Sequence, residues 1–282
     1  MSRVAYVNGR YAPFAEASVH IEDRGLQFSD GVYEVWSVRD GRLLDSDGHF
    51  TRLKRSLGEL RIREPMDRSA LEVVIHETLR RNRVRDGIVY LQINRGVARR
   101  DHAFPKTSVR PSVIITARAQ IPATLNVSAE KGAAVITVPE SRWARCDIKT
   151  VSLLPNVLAK QAAKEKGAQE AWFVDSDGLV TEGSSTNAWI IDANGCVRTR
   201  DLNANILRGV TRAKLIELLK EQNLKIEERP FTLEEAYNAR EAFYSAATAM
   251  VTPVTSIDGK LVGDGKPGPL ALRLREAYLE SA

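Results

Sequence analysis

The chain has 282 residues, 43% hydrophobic and 27% charged, with a formal charge of +5 from 41 basic and 36 acidic side chains. That length can bury a sizeable core in one large domain or two modest ones, and no apolar run approaches the roughly 20 residues that a membrane span needs. The positive balance is modest and dispersed, with 6% aromatics and no nucleic-acid motif, so it suits small anions and carboxylates better than a nucleic acid.

Predicted elements begin with a strand at Val4–Val7, followed by Asn8-Gly9, a favoured two-residue hairpin turn. A second hairpin is expected from Val32–Val38 through Asp40-Gly41 to Arg42–Leu44. Phe50, Leu53, Leu57 and Leu60 recur at helical spacing and predict an amphipathic helix near 48–60. A second helix carries Leu71, Val74, Ile75, Thr78 and Leu79, with Ser69 as its expected cap. Strands follow near Ile88–Asn94 and Val113–Ala117. The stretch Arg118–Thr124 has few large apolar residues and contains Pro122, which marks a linker.

Beyond it a strand is expected at Ala133–Val138, then a helix opened by Pro155 and closed by Gly167. Strands are expected at Ala171–Val174, Val180–Glu182 and Ala188–Ile191, with Asp177-Gly178 and Asn194-Gly195 as turns. A helix opens near Gly209, strands lie near Phe243 and Val251–Ile257, and a last helix follows Pro269. Short antiparallel strands with segregated helices indicate the α+β class in two lobes. The expected division is a smaller domain at 1–119, a linker at 120–126 and a larger domain at 127–282.

Three places carry chemistry. Lys149 stands in Arg145-Cys146-Asp147-Ile148-Lys149-Thr150, near apolar residues, where an amine can be desolvated into a nucleophile. A surface loop lysine would carry the same letters. Glu182 ends a strand before Gly183-Ser184-Ser185-Thr186-Asn187, a setting for a carboxylate facing a ring nitrogen or for a small polar turn. Leu207-Arg208-Gly209-Val210-Thr211-Arg212 opens a helix, whose free amides and dipole favour a phosphate. Thr211 adds a hydroxyl, and Arg52 on the helix near His49 could add charge. A lysine amine, a carboxylate for a pyridine nitrogen and a phosphate cradle are what pyridoxal 5′-phosphate (PLP) requires of a protein. No His, Cys and carboxylate cluster has metal-ligand spacing.

In their order along the chain, Cys146-Asp147-Ile148-Lys149, Asn156–Gln161 and Thr181-Glu182-Gly183-Ser184-Ser185 resemble the fold-type IV PLP enzymes, and among them the D-amino-acid transaminases. Glu22-Asp23-Arg24-Gly25, Asp30–Glu34, Arg95-Gly96, Arg100-Asp101-His102, Thr252-Pro253-Val254 and Ile257-Asp258-Gly259 extend the resemblance over nearly the whole chain. It implies two α+β domains, a homodimer, and an active site at the domain junction completed by the partner subunit.

It also implies the site residues. Lys149 forms the Schiff base with PLP and shuttles a proton. Glu182 pairs with the pyridine nitrogen. Arg52, Val210 (through its amide) and Thr211 hold the phosphate. Ala247 and Thr248 lie in a second phosphate segment, Ser245-Ala246-Ala247-Thr248, where alanines stand in place of hydroxyl residues of some relatives. Arg100 and His102, with Tyr33, trap the substrate carboxylate. The expected reaction moves an amino group from a D-amino acid to a 2-oxo acid. Same-fold rivals are a branched-chain L-amino-acid transaminase, an (R)-amine transaminase and aminodeoxychorismate lyase; a non-catalytic scaffold is the rival of another class. No nucleic-acid or membrane partner is expected. The N-terminus lacks a signal peptide's apolar stretch, so a cytoplasmic location is expected.

Overall fold

A computed structural model describes residues 3–120, 129–203 and 205–281. The chain packs as two units, Met1–Pro122 with Ile148–Ser152, and Ala123–Asp147 with Leu153–Ala282. Residues 121–126 of the expected linker lie outside the described residues. Arg118 and Ala119, counted in the linker stretch Arg118–Thr124, belong instead to a strand that runs to Ala119.

The first unit is built on an antiparallel sheet of six strands: β1 (Val4–Val7), β2 (Arg10–Pro13), β3 (Gly31–Arg39), β4 (Arg42–Leu43), β5 (Gly87–Asn94) and β6 (Ser112–Ala119). Their order is β2-β1-β6-β5-β3-β4. Both expected turns form. Asn8, Gly9, Asp40 and Gly41 have φ of 49°, 97°, 50° and 77°, the mirror-image turn whose twist matches the paired strands. A short helix, α1 (Arg24–Phe28), is capped by Asp23; five residues are too few to show a helical period. On α2 (Ser46–Glu59) and α3 (Arg68–Asn82), Phe50, Leu53, Leu57, Leu71, Ile75 and Leu79 join the core of Trp36, Val89, Leu91 and Ile115. The cap of α3 is Asp67 rather than Ser69. A cap needs extended backbone just before the first helical residue, and Asp67 has it (φ −67°, ψ 164°), accepting from Ala70 N at 2.8 Å.

β4 is so short that it pairs only Val38 and Arg39 of β3. The other end of that edge is covered from far along the chain. Tyr33 N donates to Lys149 O at 3.0 Å, Val151 N donates to Gly31 O at 3.1 Å, and Thr150 bridges Val32. Ile148 enters the same core at 4% exposure. Pairing at an open strand edge and burial of Ile148 thus place the Lys149 segment in the first unit, although the expected division gives it to the C-terminal domain.

The second unit holds β7 (Ala133–Pro139), β8 (Glu170–Val174), β9 (Leu179–Gly183), β10 (Asn187–Ile191), β11 (Val197–Thr199), β12 (Ile226–Glu228), β13 (Phe231–Thr232), β14 (Glu241–Ala246), β15 (Met250–Ile257) and β16 (Lys260–Leu261). The order is β12-β11-β10-β14-β15-β7-β8-β9-β13, with β16 on β15. This sheet is mixed: β7 runs parallel to β8 and β15, and β11 to β12. Two of these parallel pairs enclose a helix, α4 (Leu154–Glu165) and α5 (Val210–Glu221), which returns the chain to the same end of the sheet. α6 (Leu233–Tyr237) opens with a capping box of Thr232 and Glu235. Every residue of β10 is buried. Ala188 and Ile190 face a core with Trp172 and Phe231, while Trp189 and Ile191 face α5 and α7 (Pro269–Ser281). Among the described residues no helix is long and apolar enough to cross a membrane, and no three His, Cys, Asp or Glu side chains could hold a metal ion.

Candidate active site

In the first unit, successive residues of β3 point to opposite faces of the sheet. Tyr33 stacks on Tyr90, with ring centroids 5.7 Å apart, and Lys149 Nζ lies 4.3 Å from the centroid of the Tyr33 ring. Lys149 is half-buried, and its amide donates to Ser56 Oγ at 3.3 Å. Burial, and then Tyr33, push the Tyr90 phenol above its ordinary value, so it stays protonated near neutral pH. On the opposite face Glu34 is fully buried. His49 and Arg52 lie three residues apart on α2 and reach it together. Arg52 donates Nε to Oε1 at 2.8 Å and Nη2 to Oε2 at 2.7 Å; His49 Nδ1 lies 2.7 Å from Oε2. Burial alone would raise the Glu34 carboxyl, but Arg52 and His49 outweigh it and hold it at about 2. His49 is itself held below its ordinary value, by burial first, against the pull of Glu34.

Arg100 and His102 are exposed and share one platform, Phe28. The Arg100 guanidinium lies 4.8 Å from that ring's centroid and the His102 ring 5.4 Å. The structure therefore brings Arg100 and His102 together, and separately brings Tyr33 and Lys149 together.

In the second unit, Glu182 near the end of β9 is held by three donors. Oε1 accepts from Arg142 Nη1, Oε2 accepts from Asn187 Nδ2 at 2.9 Å, and Leu207 N lies 3.1 Å from each oxygen. Arg142 also donates to Glu140 (Nη2–Oε2 2.7 Å, Nε–Oε1 2.9 Å), to Thr181 Oγ1 and to Asn205 O. Burial opposes charge on Glu140, but Arg142 keeps its carboxyl below the usual range. Nothing in the sequence marks Arg142, which stands near a second arginine in Arg142-Trp143-Ala144-Arg145. The hydroxyl run after Glu182 has a structural use: Ser184, Ser185 and Thr186 all donate to the buried carboxylate of Glu170.

α5 opens at Gly209, which offers no side chain as a cap. A Cβ there would lie 2.0 Å from Asn187 Oδ1, so any larger residue would have to displace the Asn187 side chain. Thr211 Oγ1 is buried with no hydrogen-bond partner among the described residues. The first-turn amides of a helix have no intrahelical acceptor and carry the positive end of its dipole. An uncapped start and an unpartnered buried hydroxyl fit the phosphate of PLP. The three-donor cradle of Glu182 likewise fits a carboxylate kept charged for a ring nitrogen. Ala247 and Thr248 lie in the turn between β14 and β15. Ser245, at the end of that strand, already accepts from Trp189 Nε1 at 2.9 Å. The Cys146 thiol is pushed up to about 11, by burial first and then by Glu182, Glu140 and Asp147 against the pull of Arg142. It donates to Trp143 O at 3.1 Å, and its raised pKa disfavours the thiolate that a nucleophile needs.

Residues 31–257 match the family described as Amino-transferase class IV. In sequence the chain is 40% identical to a D-alanine aminotransferase of Bacillus licheniformis, over 97% of this chain and 95% of that protein. It is 39% identical to the D-alanine aminotransferase of Staphylococcus haemolyticus, over 98% of each. In structure it is similar to a T.th. branched-chain amino acid aminotransferase solved with pyridoxamine 5′-phosphate, with a TM-score of 0.89 and 29% identity, covering 100% of this chain and 94% of that one.

Proposed function

The chain belongs to the class IV aminotransferases, and from that premise we infer that it is a PLP-dependent D-amino-acid transaminase. It moves an amino group from a D-amino acid such as D-alanine to a 2-oxo acid such as 2-oxoglutarate or pyruvate. The observation that carries the substrate reading is the 40% identity, across 97% of the chain, to a D-alanine aminotransferase. A branched-chain L-amino-acid transaminase is the second reading, favoured by the likeness to such an enzyme at 29% identity; that likeness is one of fold, which both activities share.

PLP supplies the electron sink that stabilises a carbanion at the substrate Cα. Lys149 holds the cofactor through its amine, and its Nζ moves the proton at the substrate Cα. Glu182 keeps the ring nitrogen charged. Arg52, the Val210 amide and Thr211 hold the phosphate, with Ala247 (by its backbone) and Thr248 from the second segment. Tyr33, Arg100 and His102 bind the substrate carboxylate. A guanidinium fork grips both carboxylate oxygens, and so selects which face presents the Cα–H. We further propose a homodimer whose second copy completes the site. The exposed apolar side chains Leu154, Val157 and Leu158 on α4 support such an interface.

The visible spectrum tests this reading. The purified protein should show a yellow band that D-alanine bleaches and L-alanine leaves intact, and Lys149→Ala should lose both band and turnover. Bleaching by L-leucine alone would transfer the assignment to the second reading. Absence of a band after PLP is added would overturn it.

A further inference from the structure

Arg24 has no part in the roles above, yet it is among the most heavily bonded side chains of the first unit. It opens α1 and is 2% exposed. Its Nη1 donates to the carbonyl of Asp101 at 2.6 Å and of Ala103 at 3.3 Å, and its Nη2 to the carbonyl of His102 at 3.3 Å. Its Nε donates to Asp30 Oδ2 at 2.7 Å. Asp30 is gripped from the other side by Arg95, through Nε at 2.7 Å and Nη2 at 2.9 Å. Arg95 in turn is fixed by the carbonyls of Leu60 and Arg61. The Arg24 guanidinium also lies 4.7 Å from the Phe28 ring centroid, the ring on which Arg100 and His102 rest.

A buried guanidinium must have its donors paired, and the Asp30 carboxylate is shared between Arg24 and Arg95, so it takes only one of the Arg24 donors. Its three other hydrogen bonds go to three consecutive carbonyls, 101–103, of an otherwise exposed segment. Holding those carbonyls fixes the two peptide planes that flank His102, and hence the direction in which its side chain leaves the backbone; Arg100 leaves the chain one residue before the first held carbonyl and rests on the same Phe28 ring as Arg24. Arg100 and His102 are long or ring-bearing groups on a surface loop, so without this hold they would sample many directions and lose affinity for a small planar anion.

We propose that Arg24, anchored through Asp30 to Arg95, is a positioning residue for substrate carboxylate recognition, setting the aim of Arg100 and His102. This rests on the carboxylate-trap reading above. Arg24→Lys keeps the charge but cannot span Asp30 and three carbonyls. In the holoenzyme, KM for D-alanine and Ki for propionate, a carboxylate without an amine, should rise together by about tenfold, with kcat changed less than about threefold. Arg100→Lys should raise the same two constants, and the double variant should be no worse than the poorer single one, because Arg24 acts through Arg100. If Arg24→Lys does not fold, Asp30→Asn carries the same expectation. Unchanged KM and Ki beside a responsive Arg100→Lys, a fall confined to kcat, or fully additive effects in the double variant would overturn the role of Arg24. If Arg100→Lys also leaves both constants unchanged, the trap reading itself falls, and the proposal with it.

Discussion

Replacing Glu34 by glutamine keeps its shape and removes its charge, so the variant isolates the electrostatic part of its pairing with Arg52 and His49. In the folded chain the carboxyl sits at about 2 against an ordinary 4.5. At about 1.4 kcal/mol per pH unit, that gap is worth about 3 kcal/mol. The figure agrees with the roughly 3–5 kcal/mol lost when one partner of a buried pair is removed. Because the folded value is depressed, the stabilisation is fully present above pH 4.5 and is lost as pH falls from 4.5 towards 2. At pH 3.5, about 1 kcal/mol of it should be gone. Urea unfolding followed by tryptophan fluorescence is the assay, since Trp36 is fully buried with its ring 5.3 Å from that of His49. Glu34→Gln should be less stable than the parent by about 3 kcal/mol at pH 7, and the gap should narrow by about 1 kcal/mol at pH 3.5. A gap under about 1 kcal/mol at pH 7, or one that does not narrow in acid, would refute the reasoning.

Three other outcomes are expected. Thr211→Val removes a hydroxyl with no partner among the described residues, so the chain without cofactor should keep its melting temperature while the Kd for PLP rises about five- to tenfold in a fluorescence titration. Gly209→Ala meets no backbone strain, as φ is −63°, but forces a 2.0 Å approach to Asn187, which should cost about 1–3 kcal/mol in urea unfolding and loosen Glu182. Cys146, at about 11, is protonated at pH 8, so its labelling by iodoacetamide, mapped by mass spectrometry, should rise about tenfold per pH unit up to pH 10; a plateau below pH 9 would contradict its burial.

What the sequence made legible was local. Asn8-Gly9 and Asp40-Gly41 need only their own backbone preferences to turn the chain, and both turns form. The helix start at Gly209 was readable from its own residues, and a helix does begin at Val210. The cap of α3 moved two residues, from Ser69 to Asp67, because either side chain can cap and only the helix start decides which does. Glu34 sits in Val32-Tyr33-Glu34-Val35-Trp36, where alternation alone cannot say which cations will meet it; they arrive 15 and 18 residues later. Arg142 meets Glu182 across 40 residues, and Arg24 meets the Asp101 carbonyl across 77. Buried ion pairs between distant segments have no period and no signature residue, so they stayed hidden until the fold brought the partners together.

The pairing of β3 with the Lys149 segment bears on how the protein is made. During synthesis the strand Gly31–Arg39 leaves the ribosome more than a hundred residues ahead of Ile148–Ser152. At roughly 5–20 residues per second, several seconds pass in which Val32 and Tyr33 lack their later partners and the core lacks Ile148. The N-terminal unit is therefore unfinished when its own contiguous sequence is complete. A nascent chain halted near residue 130 exposes an open strand edge, the kind of surface that chaperones cover. The lysine assigned to chemistry is delivered by the segment that closes that edge, so the N-terminal unit cannot close without it.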